Sequence, residues 1–200
     1  MVSIKIYVEG GGDRKDLKTR CRQGFSKFFE KAGFKGRMPG VVACGSRQNA
    51  YDNFCTAIKT AGDNDLPMLL VDSEDAVSQS PWEHLKSRDG WECPEGAQDK
   101  QAQLMVQVME SWFLADRTTL AQHFGQGFRE SALPNQTKIE EIAKQQVFDS
   151  LKSATRESRA GAYEKGKHSF EVLGKIDPAK VRSASPHTDR LLRAVDNPSK

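Results

Sequence analysis

The chain has 200 residues, 37 % of them hydrophobic, and a mean hydropathy of −0.65. That is enough for one domain, or for one domain with a helical appendage. No apolar run approaches the roughly 18 residues of a membrane helix, and the first residues lack the charged-then-apolar plan of a secretory leader, which excludes a membrane-spanning reading. Net charge is only +3, but it is unevenly spread. Residues 14–37 hold nine Lys/Arg against two acids, residues 63–99 hold ten acids against two bases, and residues 152–193 return to ten bases against five acids. An acidic centre between basic flanks suits a metal site beside a polyanion track, although any one segment alone is an ordinary solvated helix face. Cys21, Cys44, Cys55 and Cys93 are widely spaced, with no CxxC and no histidine at metal spacing. They read as reduced thiols of a cytoplasmic protein.

In chain order, Ile4, Ile6 and Val8 alternate with Lys5 and Tyr7, the period-two pattern of a strand, which ends in Glu9, three glycines and Asp13. Asp16 is placed to cap a helix running to about Ala32, with Leu17, Cys21, Phe25, Phe28 and Phe29 on its apolar stripe. Lys15, Lys18 and Arg22 fall on another face. A turn over 33–36 leads to a short strand at Gly40–Ala43, and Ser46 caps a second helix with Ala50, Phe54 and Ile58 inward. Pro67–Val71 is the most apolar run and passes directly into Asp72-Ser73-Glu74-Asp75. A central parallel strand buried on both faces has that composition. Strand, helix, strand, helix, strand predicts a right-handed βαβαβ sheet.

Further on, Trp82–Trp91 is a short helix and loop, and Ala102–Val108 a fourth strand running into a helix at Met109–Trp112. From about residue 117 the pattern is helical. Thr137 and Glu140 form a capping box, residues 155–168 a charged loop, and Asp177-Pro178 and Ser185-Pro186 are helix starts. The expected architecture is one α/β domain over 1–200. It is Rossmann-like, with a mostly parallel sheet flanked by helices over about 1–116 and a helical extension over about 117–200.

The chemistry concentrates at strand ends. Glu9 closes the first strand and Asp72 the third, so a parallel sheet brings both to its carboxyl edge, where α/β proteins bind ligands. Glu74, Asp75 and Asp13 lie just beyond. Several carboxylates meeting there raise one another's pKa, and a hard cation relieves the conflict. All-oxygen ligands suit Mg2+ or Mn2+. Gly10 and Gly11 belong to a turn that offers N–H groups to a phosphate but lacks the nucleotide-loop pattern. Arg47, at the end of the second strand, is a candidate phosphate partner, as are Lys15, Lys18 and Arg22. Glu110 is either a further ligand or the buried partner of a base. Trp82, Trp91 and Trp112 are expected in packing.

VEGGGD at 8–13 and LLVDSED at 69–75 resemble the two acidic motifs of the TOPRIM fold of topoisomerases, primases and OLD-type nucleases. More specifically, the chain is similar to a small bacterial TOPRIM-like family, domain-of-unknown-function family 4276. The matching residues there are Gly45-Ser46-Arg47 with Tyr51 and Phe54, the run from Met109 to Asp116, and Ser185-Pro186. The resemblance implies a Mg2+- or Mn2+-dependent nuclease with Glu9, Asp72 and Glu74 as catalytic metal ligands, Asp13 or Asp75 assisting, and nucleic acid as substrate. It also implies a neighbouring ABC-type ATPase as partner and a role in defence against phage or plasmids. The third-strand motif here is Asp72-x-Glu74 where the fold has Asp-x-Asp. The late lysine of OLD-type nucleases has its counterpart in Lys167. Two other readings stand beside this one: a regulatory or binding subunit of the ATPase with a weakened metal site, and primase-like nucleotidyl transfer, for which the chain leaves little room.

Overall fold

A computed structural model describes residues 2–198. The first half of the chain forms β1 (Ser3–Gly11), α1 (Lys15–Phe29), β2 (Gly40–Gly45), α2 (Arg47–Thr60), β3 (Asp65–Asp72), α3 (Pro81–Asp89) and β4 (Ala102–Met105). Then come α4 (Arg117–Phe124), α5 (Lys144–Thr155), α6 (Lys165–Leu173), α7 (Pro178–Ala184) and α8 (Pro186–Asp196). The four strands make one all-parallel sheet in the order β2-β1-β3-β4. This is the expected α/β class, a parallel sheet with helices on both faces.

β3 explains the sheet. From Leu66 onward every residue of it is buried, because successive side chains serve opposite faces. Met68 and Leu70 join Ile6, Val8 and Met105 in the larger core, with the phenylalanines of α1, Trp112 and residues as late as Val195. Leu69 and Val71 join Ala50 and Phe54 of α2, Trp82 and Leu85 of α3 and Leu104 in the smaller core on the other face. All three tryptophans pack, and Trp112 stacks on Phe28 at 5.1 Å. Ser46 caps α2 through Asn49 N at 3.1 Å, and Asp177 and Ser185 cap α7 and α8 ahead of their prolines.

Several boundaries depart from the sequence reading. α1 starts at Lys15, so Asp16 sits in its first turn, bound to Arg14 at 2.8 Å rather than capping. β4 stops at Met105, because the next backbone turns to serve Glu74, whose N–H donates to Gln107 O at 2.7 Å. Residues Met109–Ala115 form a 3-10 helix. Glu140 caps no local helix. Its carboxylate accepts from Ser185 Oγ at 2.5 Å and His187 N at 3.0 Å, so a distant partner wins over the local one. The loop predicted over 155–168 ends early, because α6 already begins at Lys165.

Candidate metal centre at the carboxyl edge of the sheet

β1 and β3 pair in parallel with Val8 opposite Leu70, so their continuations carry Glu9 and Asp72 to the same edge. The last three residues of β1 all face Gly45, with a register shift at every step. Such a bulge re-aims the side chains it contains. The glycines serve this close packing. A Cβ on Gly11 would lie 2.8 Å from the backbone of Lys18, and φ there is +86°, so only glycine lets α1 lie against the strand end. A Cβ on Gly10 would press on Cys21 Sγ and Phe170 Cζ, each at 3.1 Å. At both positions a neighbouring helix packs against the glycine's Cα.

Glu9, Asp72 and Glu74 each present an oxygen to one place, all three within 4.8 Å of one another. Asp72 ends β3, and its side chain is 5 % exposed. Its Oδ1 accepts from Met109 N at 2.8 Å, and its Oδ2 lies 3.9 Å from Lys165 Nζ. Burial pushes the Asp72 carboxyl well above the usual aspartate range, and the neighbouring charge of Glu9 pushes it further against the pull of Lys165. Burial also raises Glu9, with Glu74 adding to it and Arg47 and Lys165 opposing.

Glu74 arrives by an unusual route. At φ 69° it is the one non-glycine residue in the left-handed region among the described residues. That conformation costs a side-chain-bearing residue about 1–2 kcal/mol. It is held by Glu74 N to Gln107 O at 2.7 Å and Ser73 N to Met105 O at 2.9 Å. The carboxylate then meets Lys144 Nζ, with Arg88 Nη2 at 3.8 Å.

Around these three the other charges close a network. Arg47 forks onto Asp89 at 3.0 and 2.7 Å, donates to Glu9 Oε2 at 3.3 Å and to the carbonyl of Asp72, and lies over the Trp91 ring at 5.0 Å. It is a strut of the site, with its donors committed inside the protein. Arg88 also meets Asp75 at 3.4 Å and Asp89 at 2.6 Å. Glu110 is fully buried; its Oε1 accepts from Tyr163 Oη at 2.9 Å, while its Oε2 has no hydrogen-bond donor and lies 3.9 Å from Lys165 Nζ. Its place in the structure is that of a buried partner to a base. Five carboxylates of the cluster (Glu9, Asp72, Glu74, Asp89, Glu110) thus face four cations (Arg47, Arg88, Lys144, Lys165). Carboxylates outnumber cations, and burial disfavours the ionised forms of Asp72 and Glu9, so a bound cation would relieve the cluster.

The remaining predicted residues stand apart from the cluster. Asp75 is three-quarters exposed and paired with Arg88, and Asp13 is exposed. Lys15 and Arg22 lie on the exposed side of α1, where Arg22 binds Thr19 Oγ1 at 3.0 Å; Lys18 packs by its stem near Gly45. Lys167 turns to the carbonyl of Ala160 at 3.5 Å, and Lys165 is the lysine of α6 that reaches Asp72. Lys165, Tyr163, Lys144, Arg88 and Asp89 belong to no motif in the sequence that marks them for the site. The apolar spacing Val172, Leu173, Ile176 signals a helix there, but Glu164 gives no side-chain cap to mark its start.

Fold and site together define an all-parallel α/β protein with an acidic cluster at the carboxyl edge. The chain belongs to the family described as domain of unknown function DUF4276, whose model matches residues 8–196. Neither a curated protein nor a solved structure matches it. The donor set fits a hard divalent cation. It is all oxygen, three carboxylates close on one point, two of them carry pKa values raised by burial and mutual repulsion, and a buried carboxylate oxygen beside them lacks a donor.

Proposed function

We propose that the protein is a Mg2+- or Mn2+-dependent phosphodiester hydrolase of TOPRIM type, a nuclease acting on DNA or RNA. The observation that carries this reading is the convergence of Glu9, Asp72 and Glu74 within 4.8 Å at the carboxyl edge of a parallel sheet, inside a network where carboxylates outnumber cations. Those three residues would hold the ion. When bound, such an ion supplies Lewis-acid polarisation of a phosphoryl oxygen and an activated water. Arg47 fixes Glu9 and the end of β3, so the carboxylates are positioned before substrate arrives. Lys165, whose side chain is 58 % exposed, offers its ammonium both to Asp72 and to solvent, where it can meet negative charge developing on a phosphate. Glu110 and Tyr163 orient Lys165 from behind.

The resemblance to OLD-type nucleases supports an ATPase-linked role in cytoplasmic antiviral defence, with an ABC-type ATPase as partner. No helix of the described residues is long and apolar enough to cross a membrane. A second reading, a regulatory subunit of that ATPase with an idle site, draws on one observation: Lys144 and Arg88 already neutralise Glu74. The two readings part in a single assay. Purified protein is incubated with single- and double-stranded DNA and RNA in Mg2+ or Mn2+, beside Glu9→Gln. Metal-dependent cutting that Glu9→Gln abolishes supports the nuclease. Equal cutting by both proteins, or none by either, removes it.

A further inference from the structure

The first helix carries a charge pattern that the carboxylate site does not use. Lys15, Lys18, Arg20, Arg22 and Lys27 of α1, and Lys31 in the π-helical segment Glu30–Phe34 that continues it, have no carboxylate within 4.0 Å among the described residues. Ion pairs occur only at the two ends of that segment, Arg14 with Asp16 and Lys35 with Glu30. On α7 and α8, by contrast, every Lys and Arg is matched: Lys180 with Asp116, Arg182 and Arg193 with Asp189, and Arg190 with Asp99. An unbalanced row of cations raises the local positive potential and attracts anionic partners.

Arg20, Gln23, Lys27 and Lys31 recur at three- and four-residue spacing, so they form one stripe along the helix. That stripe borders α6. Arg20 donates to the carbonyls of Gly166, at 3.2 Å, and Lys167, and Lys31 to the carbonyl of Lys175. These acceptors are neutral, so they order the side chains and leave the charge in place. Gly24 sets the separation of the two helices: a Cβ there would stand 2.6 Å from Phe170 O. Between them lies a cavity of about 290 Å³ lined by Arg20, Gln23, Lys27, Phe170, Glu171 and Lys175. Its one acid, Glu171, is held by Lys175 at 2.7 Å.

The groove has a direction. α6 begins at Lys165, which touches the carboxylate cluster, and runs to Leu173, about 12 Å further on at helical rise. Phe170, in the groove wall, also packs on Gly10 beside Glu9. The groove therefore lies beside the strand end that carries Glu9.

We infer that the groove between α1 and α6 is the track along which the phosphate backbone of a nucleic-acid substrate is led to the carboxylate cluster, an inference that rests on the nuclease reading above. Arg20, Lys27 and Lys31 bind backbone phosphates and read no base, because the lining offers charge and one phenylalanine but no convergent set of base-edge partners. Binding is consequently salt-dependent and tolerant of sequence.

The test is binding to a short fluorescent oligonucleotide, as single strand and as duplex, DNA and RNA, in chelator so that nothing is cut. Lys27→Gln is the mildest variant, because Lys27 makes no hydrogen bond or ion pair that its loss would break among the described residues. Arg20→Gln/Lys27→Gln removes two charges, and Lys59→Gln/Lys152→Gln removes two unpaired cations elsewhere as the control. The track double variant lowers affinity about tenfold at 0.1 M salt and flattens the dependence of log K on log salt by about two, while the control leaves the slope unchanged. Lys27→Gln alone flattens it by about one, which keeps the test open if the double variant folds poorly. Equal slopes in track and control variants overturn the inference. So does failure of the wild type to bind any of the oligonucleotides at low salt while it retains polyglutamate, which would assign the groove to an acidic protein. Binding along the groove without any cutting in Mg2+ or Mn2+ removes the nuclease reading and leaves the track standing; cutting that is indifferent to the track variants does the reverse.

Discussion

Lys165 Nζ stands 3.9 Å from Asp72 Oδ2, and Lys167, two residues later, turns instead to the carbonyl of Ala160. Residues two apart on a helix point to different sides, so only one of the pair can serve the site. Lys165→Ala is expected to lower metal-dependent cleavage by about 10²- to 10³-fold with folding intact, whereas Lys167→Ala leaves it within about threefold. Cleavage rates of the two variants beside their thermal melts decide this. Equal losses would place both lysines in binding alone.

Arg47 ties four groups together from a side chain that is 15 % exposed: both oxygens of Asp89, Glu9 and the carbonyl of Asp72. Removing one partner of a buried, hydrogen-bonded pair leaves the others uncompensated. Arg47→Ala should therefore cost about 3 kcal/mol in urea unfolding. Arg47→Lys should recover little of that, because an ammonium cannot span the same fork. Full recovery by lysine would mean that charge alone matters at this position.

Asp72 is held where its ionised form is disfavoured. Its folded pKa lies above the unfolded value, so stability is fully present below the ordinary aspartate range and is lost as pH rises through the raised one. At neutral pH the carboxylate is a cost that a cation offsets. Asp72→Asn removes the charge and keeps an oxygen for Met109 N. In chelator it should melt at or above the wild-type temperature, and added Mg2+ should raise the melting temperature of the wild type only. A fall of several degrees for Asp72→Asn in chelator would show that the carboxylate is structural.

Asp116 behaves oppositely. Burial alone would raise its pKa, but Lys180 at 2.6 Å, the Thr119 hydroxyl at 2.7 Å and the N–H of Asp177 at 2.9 Å outweigh it and hold the carboxyl below its ordinary range. Stability from this group is present above the unfolded value, about pH 4, and is lost as pH falls through the lower folded value. Acid titration of unfolding should show that loss in the wild type and a flatter limb in Asp116→Asn. Asp116→Ala should cost about 3 kcal/mol at neutral pH, because it unties α4 from α7.

The parts legible in the sequence were those fixed by period and burial. β3 is apolar on both faces, so Pro67–Val71 could only be a central strand, and its last residue had to reach the edge that Glu9 reaches. Parallel pairing makes that a matter of register. The left-handed turn at Glu74 was not legible, because no glycine marks it and its support comes from Gln107 O, supplied by a later strand end. Nor was Lys165, whose helix lacks a cap, or the reach of Glu140 to Ser185 and His187, where a local capping pattern competes with a distant pair and loses. The glycines at 10 and 11 read as a turn, but they are the last two residues of β1, and their reason, the close approach of α1 and of Phe170, exists only in three dimensions.

The claim on which the rest depends is that Glu9, Asp72 and Glu74 hold a divalent cation. Calorimetric titration of Mn2+ into the chelator-treated protein, beside Glu9→Gln and Asp72→Asn, measures it directly. The account predicts one saturable binding event in the wild type, weakened at least tenfold in each variant. No binding by the wild type at millimolar Mn2+, or equal binding by all three proteins, would contradict it.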